Sequence, residues 1–265
     1  MRETGAVEPR RSFDGVAEVY ERIRPSYPRA LFDELFASLP SDPHVVEVGP
    51  GPGKATRDLL RCGAHVHAVE IGPALADTLR ATLPSDRLTI EVGDFEQVPV
   101  AAAAFDCVFA ASAYHWIEHR AQLNRPAVLL KRDGVLAVVD LIQVESTNDR
   151  GFFATAQSIY TRHGQGHSGP PPPPRDAVEP TIYLPLHNDE RFAQVEVLRY
   201  DWDQTYTATE YRLLMESYSV TQMMPPIERR ALLDDMESFV RDHFDNEVVR
   251  PLVVTLTTAR LAVST

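Results

Sequence analysis

Val45-Val46-Glu47-Val48-Gly49-Pro50-Gly51-Pro52-Gly53-Lys54-Ala55-Thr56 is the stretch that decides the fold. An apolar run ends in three alternating glycines, and a helix-forming segment follows. This reads as a buried strand, a tight turn and the opening of a helix, the arrangement by which an open α/β sheet places its first ligand loop. Glycine at 49, 51 and 53 lets the backbone pass close to a ligand with no Cβ in the way. Two phosphate loops of related spacing fail at identifiable positions. G-x-G-x-x-G puts its third glycine where Lys54 stands, and G-x-x-x-x-G-K-[ST] needs glycine at Val48 and a hydroxyl at Ala55.

Working outward, the alternation of strand and helix continues. Ala55, Leu59 and Leu60 extend a short helix closed by Gly63, and a second strand runs from about His65 to Ile71. Pro73 opens a helix carrying Leu75, Leu79 and Leu83. Leu88–Val92 and Phe105–Ala111 read as the third and fourth strands. Leu123, Ala127 and Leu130 share a helix face, and Lys131-Arg132-Asp133-Gly134 turns into a fifth strand, Val135–Ile142. Regular alternation of this kind predicts an α/β fold, a doubly wound, mostly parallel, Rossmann-like sheet. Strands at Val195–Trp202 and Leu252–Val263 bring it to about seven, the last one antiparallel.

The remaining segments predict a helical cap. Phe152, Phe153, Ala156, Ile159, Tyr160 and His163 have helical spacing. Thr207-Ala208-Thr209-Glu210 is a capping box opening a helix through Tyr211, Leu214, Met215 and Tyr218. A second helix follows Pro225-Pro226, with Leu232, Leu233, Met236, Phe239, Val240 and Phe244 inward. Pro170–Pro174 reads as a stiff loop. The expected organisation is therefore N-terminal flap helices (1–40), an α/β core (41–142), a cap insertion with the proline-rich loop (143–190), and the last core strands (191–265) with an inserted helical pair at about 207–246.

Several polar residues fall where such a sheet binds ligands, at strand carboxyl ends. Glu70 ends the second predicted strand about 20 residues past the glycine loop, a position suited to gripping a ribose diol with two oxygens. Asp94 follows the third strand. Ser112-Ala113-Tyr114-His115-Trp116 leaves the fourth. His163 and His167 are spaced i, i+4, but the glycines between them break any helix, and no metal site is expected.

Glu47-x-Gly49-x-Gly51-x-Gly53 resembles the first motif of the class I S-adenosylmethionine-dependent methyltransferases. Asp94-Phe95 matches the adenine position of that family. His115-Trp116, Phe13-x-x-x-Ala17-x-x-Tyr20 and Arg24-Pro25-x-Tyr27-Pro28 resemble its small-molecule branch, trans-aconitate methyltransferase-like and type 11-like enzymes. The resemblance implies S-adenosyl-L-methionine as cofactor, S-adenosyl-L-homocysteine as product, and no metal. It implies cofactor contacts from Glu47, Gly49, Gly51, Gly53, Thr56, Glu70, Ile71, Asp94, Phe95, Ser112 and Trp116. Tyr20, Tyr27 and Tyr114 are expected to line the acceptor pocket. Arg24 is expected to orient a carboxylate acceptor, and His115 to act as base towards a hydroxyl one. The expected reaction is O-methylation of a small-molecule carboxylate or hydroxyl. A nicotinamide-dependent oxidoreductase, which shares the Glu70 device, and a non-catalytic binding protein of the same fold remain as alternatives.

A formal charge of -12 argues against a sequence-independent grip on nucleic acid. Two isolated cysteines, Cys62 and Cys107, make neither a disulfide framework nor a zinc site. No apolar run suggests a leader or a membrane span. The expectation is a cytoplasmic monomer or homodimer with neither nucleic-acid nor membrane partners.

Overall fold

A computed structural model describes Ile23 and residues 25–145, 149–166, 172–180 and 182–262. The core is one seven-stranded sheet of order β3-β2-β1-β4-β5-β7-β6, mostly parallel with one antiparallel pair. Its strands are β1 (His44–Val48), β2 (His65–Glu70), β3 (Leu88–Val92), β4 (Phe105–Ala111), β5 (Leu130–Gln143), β6 (Phe192–Thr207) and β7 (Glu247–Leu261). The helices are α1 (Arg29–Ala37), α2 (Lys54–Arg61), α3 (Pro73–Thr82), α4 (His119–Leu129), α5 (Phe152–Arg162), α6 (Tyr183–His187), α7 (Ala208–Glu216), α8 (Ser219–Gln222) and α9 (Pro226–His243). No helix of the described residues is long and apolar enough to cross a membrane.

The apolar runs sit where parallel strands need them, covered on both faces. Four of the five residues of β1 are buried. β1 pairs with β2 through Val45↔Val66 and Val48↔Val69, and with β4 through Val45↔Cys107 and Val48↔Ala110. The chain therefore winds from β1 out to β3, then returns to β4 on the other side of β1. That reversal opens a crevice at the carboxyl ends of β1 and β4.

One boundary differs from expectation. β5 starts at Leu130, so Lys131–Gly134 lies inside the strand. Phe105 faces Leu130 and Cys107 faces Val135, and the register shift between them absorbs the extra residues. Asp133 takes a positive φ of 63° within this irregularity. A bulge lets turn-forming residues remain in a strand, which periodicity alone does not reveal.

The described residues fall into two compact units. One holds Ser26–Ile142, Glu179–Tyr200 and residues 254–262, with a core built from Val46, Val108, Leu136, Ile182, Leu186 and Ala259 among others. The other holds Gln143–Val178 and Asp201–Val253. Phe152 is the hub of the second unit, with its ring centroid 5.1 Å from Tyr211 and 5.2 Å from Phe244, both edge-on. The Thr207–Glu210 capping box is formed: Glu210 N–H donates to Thr207 Oγ1 (3.3 Å), and Thr207 N–H to Glu210 Oε2 (2.8 Å).

Candidate active site at the carboxyl edge of the sheet

The glycine loop is shaped by three left-handed residues, Gly49 (φ 61°), Gly51 (φ 57°) and Gly53 (φ 104°). Gly49 lies at the β1–β4 crevice: a Cβ there would stand 2.7 Å from Ala113 Cβ, in the segment leaving β4. At Gly53 a Cβ would collide with Leu79 Cδ1 at 2.5 Å, so that glycine also lets the loop pack on α3. The loop thus needs glycine for conformation and for close approach.

Carboxylates stand at or just past the ends of β1, β2 and β3, and each is held differently. Glu47 is 1% exposed, and its Oε2 accepts from Thr56 Oγ1 at 2.7 Å. Burial pushes its pKa up to about 8, the Thr56 bond opposes the rise, and the nearby Glu70 charge adds to it. Glu70 is 3% exposed; its Oε2 accepts from Gly51 N–H (2.9 Å) and its Oε1 from Gly72 N–H (2.8 Å). It therefore ties the loop after β1 to the loop after β2. A carboxylate accepts from about four donors, so one group can serve two amides and a diol. Asp94 Oδ1 accepts from Glu96 N–H at 3.0 Å, closing a tight turn after β3.

The exit from β4 carries strain. Ser112 has a φ of 55°, its N–H donates to Val139 O (2.8 Å), and its Oγ accepts from Tyr27 OH (3.2 Å). Backbone strain of this kind collects where a side chain must be aimed. His115 and Trp116 follow in a single 3₁₀ turn, both exposed, with ring centroids 4.9 Å apart. Protein on the inner side of His115 disfavours the imidazolium and lowers its pKa, so the ring is neutral at pH 7.

Two of the expected contact residues are engaged by other protein groups. Tyr114, expected at the acceptor pocket, is 3% exposed and its hydroxyl donates to the Gln122 carbonyl. The reason lies in α4: Pro126 has no N–H, so the carbonyl four residues back has no helical donor, and Tyr114 supplies one. Phe95, expected against the adenine ring, is buried in the core beneath the Arg125 guanidinium. Tyr20 and Arg24 lie outside the described residues. Ile71 is half-buried just past β2.

Arg125 itself was not foreseen. Its Nε donates to Phe95 O at 3.1 Å and a terminal nitrogen to Val98 O, while Glu118 N–H donates to Glu96 Oε1 at 3.0 Å. These bonds fasten the loop after β3 to α4. Partners that far apart in sequence leave no local pattern to read.

Residues 46–138 match the model of a methyltransferase domain. An uncharacterised methyltransferase of Mycobacterium tuberculosis is 28% identical over 257 residues, spanning 95% of this chain and 96% of the relative. The chain is an S-adenosylmethionine-dependent methyltransferase. A shorter match, 36% over 100 residues, links 37% of the methyltransferase to 45% of a protein-L-isoaspartate O-methyltransferase of Roseiflexus castenholzii. The fold is shared with phosphoethanolamine N-methyltransferase 2 of Haemonchus contortus, solved with phosphomonomethylethanolamine and S-adenosylhomocysteine. There the TM-score is 0.56 at 16% identity, covering 97% of this chain and 61% of that one. The YcgJ protein of Bacillus subtilis gives 0.54 at 12% identity over 89% and 100%.

The site's donor set suits this cofactor. Carboxylates at neighbouring strand ends, rather than a lysine-capped phosphate cradle, accompany a loop that a Cβ would fill, and the ligand is cationic and carries a ribose diol. Among the described residues no group of His, Cys, Asp and Glu is placed to hold a metal ion.

Proposed function

We propose that this methyltransferase methylates an oxygen of a small-molecule acceptor, a carboxylate or a hydroxyl. The observation that carries the cofactor half is the alignment of Glu47, Glu70 and Asp94 at neighbouring strand ends, with Glu70 bonded to the Gly49–Gly53 loop at Gly51. In this reading Glu70 receives the ribose hydroxyls, Asp94 the adenine amino group, and Glu47 with the glycine loop the methionine end. When bound, the cofactor supplies an electrophilic methyl group on a sulfonium sulfur. The protein's own part is then orientation and exclusion of water, with little acid–base work.

The acceptor half rests on the exit from β4. Ser112 and Tyr27 form a hydroxyl pair there, and His115 is a neutral imidazole, the form that takes a proton from an acceptor hydroxyl. A carboxylate acceptor is already ionised near pH 7 and needs no base. His115→Ala should therefore lower kcat with a hydroxyl acceptor and leave a carboxylate one little changed.

The cofactor assignment is tested by calorimetric titration with S-adenosylmethionine, S-adenosylhomocysteine and, in parallel, NADH. Binding of the first two and not the third is expected. Glu70→Ala should abolish it while thermal unfolding shows a folded chain. A folded wild-type protein that ignores both sulfur compounds and binds NADH would overturn the reading.

A further inference from the structure

The second unit holds a cation that no carboxylate of the described residues neutralises. Arg250 lies on β7, set back from solvent but not sealed from it. Among the described residues it makes no ion pair. Its Nε donates to Gln143 Oε1 at 3.1 Å, and its guanidinium carbon stands 5.8 Å from the centre of the Tyr218 ring. Burial works against its charge, the phenolic oxygens of Tyr218, Tyr211, Tyr206 and Tyr160 work for it, and the net shift of its pKa is upward. Tyr160 and Tyr211 bring their hydroxyls within 3.3 Å of each other.

An arginine drawn into protein without a carboxylate is costly, because water is removed and no opposite charge replaces it. Three other arginines of this unit show the ordinary solution: Arg162 pairs with Asp235, Arg175 with Asp203, and Arg212 with Asp234. Around Arg250 the contacts are instead one amide carbonyl and the face of the Tyr218 ring, groups that hold a guanidinium fork without discharging it. Such a fork binds two oxygens of one planar or tetrahedral oxyanion, and the tyrosine hydroxyls are donors of the right kind to complete the shell.

We infer that Arg250, with Gln143 and the tyrosines 160, 206, 211 and 218, is an oxyanion-recognition site for a small molecule bearing a carboxylate or a phosphate ester. Resting on the proposed function only in taking a small molecule as the ligand, this accounts for a half-buried arginine with no carboxylate beside it among the described residues. Recognition of that anion carries no methyl transfer itself.

The test uses the full chain. Sodium succinate and glycerol phosphate are titrated at constant ionic strength, with sodium chloride as control, and binding is read by calorimetry and tyrosine fluorescence. Saturable binding of at least one probe, and none of chloride, is expected; which probe wins identifies the oxyanion. Arg250→Gln should weaken it by about tenfold or more, Arg250→Lys should fall between, and S-adenosylhomocysteine affinity should stay unchanged. Wild-type protein that binds neither probe, or Arg250→Gln that binds as well as wild type, overturns the inference. The wild-type arm decides even if the glutamine variant does not fold. Failure here with intact cofactor binding leaves the methyltransferase reading standing; loss of cofactor binding in the wild type strikes at that reading instead.

Discussion

Gly49 shows how one residue can be required twice. Its φ of 61° costs an L-residue roughly 1–2 kcal/mol. In addition a Cβ would stand 2.7 Å from Ala113 Cβ, which belongs to the backbone leaving β4 and has no flexible end to yield. Gly63 separates the two costs, since its φ is 94° but nothing lies within 4 Å of a Cβ there. In urea unfolding, Gly49→Ala should lose clearly more stability than Gly63→Ala, and only Gly49→Ala should weaken S-adenosylmethionine binding. Equal losses, with cofactor affinity intact in both, would show that the two loops are not pressed together. At this scale the sequence was partly legible. The alternating glycines announced a tight loop after β1 and the acidic residues at 47, 70 and 94 a set of strand-end carboxylates, because backbone conformation and strand-end position leave local marks. The bonds of Glu70 to Gly51 and Gly72 and of Glu47 to Thr56 are specific to the folded chain, and only the structure supplies them.

At the scale of the element, α4 is instructive. A proline at 126 would ordinarily weaken a helix by removing a donor from its interior. Here the orphaned Gln122 carbonyl is met by Tyr114 OH, and Gln122 Nε2 returns a bond to Ile117 O at 3.2 Å. Tyr114→Phe should therefore cost about 1–3 kcal/mol, the penalty of a buried acceptor left unmade. Pro126→Ala restores the helical donor, so the double variant should recover much of the loss. A double-mutant cycle in urea measures the coupling, and additive losses would show that tyrosine and proline are not linked through this carbonyl. Periodicity located β3 and β4 to the residue, because buried parallel strands are short apolar runs bounded by turns. It missed the early start of β5, where a bulge holds polar residues, and the bond of Tyr114 across eight positions has no sequence signature.

For the molecule as a whole, charge and burial set the pH at which it is most stable. Glu47 keeps its proton up to about pH 8 in the folded chain, against 4.5 for the ordinary side chain. Asp140 is also raised by burial, and its Oδ2 has no hydrogen-bond partner. In that window the folded state binds protons that the unfolded state has released. Stability therefore falls as pH rises from about 4.5 to 8, by roughly 1.4 kcal/mol per pH unit for each such group within its own window. Asp42, Asp189, Glu210 and Asp235 are shifted down by their partners and act oppositely. Their contribution is present above their ordinary values and is lost only as pH drops further. A formal charge of -12 adds self-repulsion on the alkaline side. The cofactor-free protein should accordingly unfold most reluctantly a little above pH 4.5, and Glu47→Gln should flatten the decline towards pH 8. The same group links stability to binding. A sulfonium and an ammonium brought near Glu47 favour its carboxylate, so binding S-adenosylmethionine at pH 7 should expel a proton. Calorimetry in buffers of different ionisation heat measures that proton directly. Its absence would mean that Glu47 is already ionised, and the alkaline decline in stability would then have to come from Asp140 and surface repulsion alone.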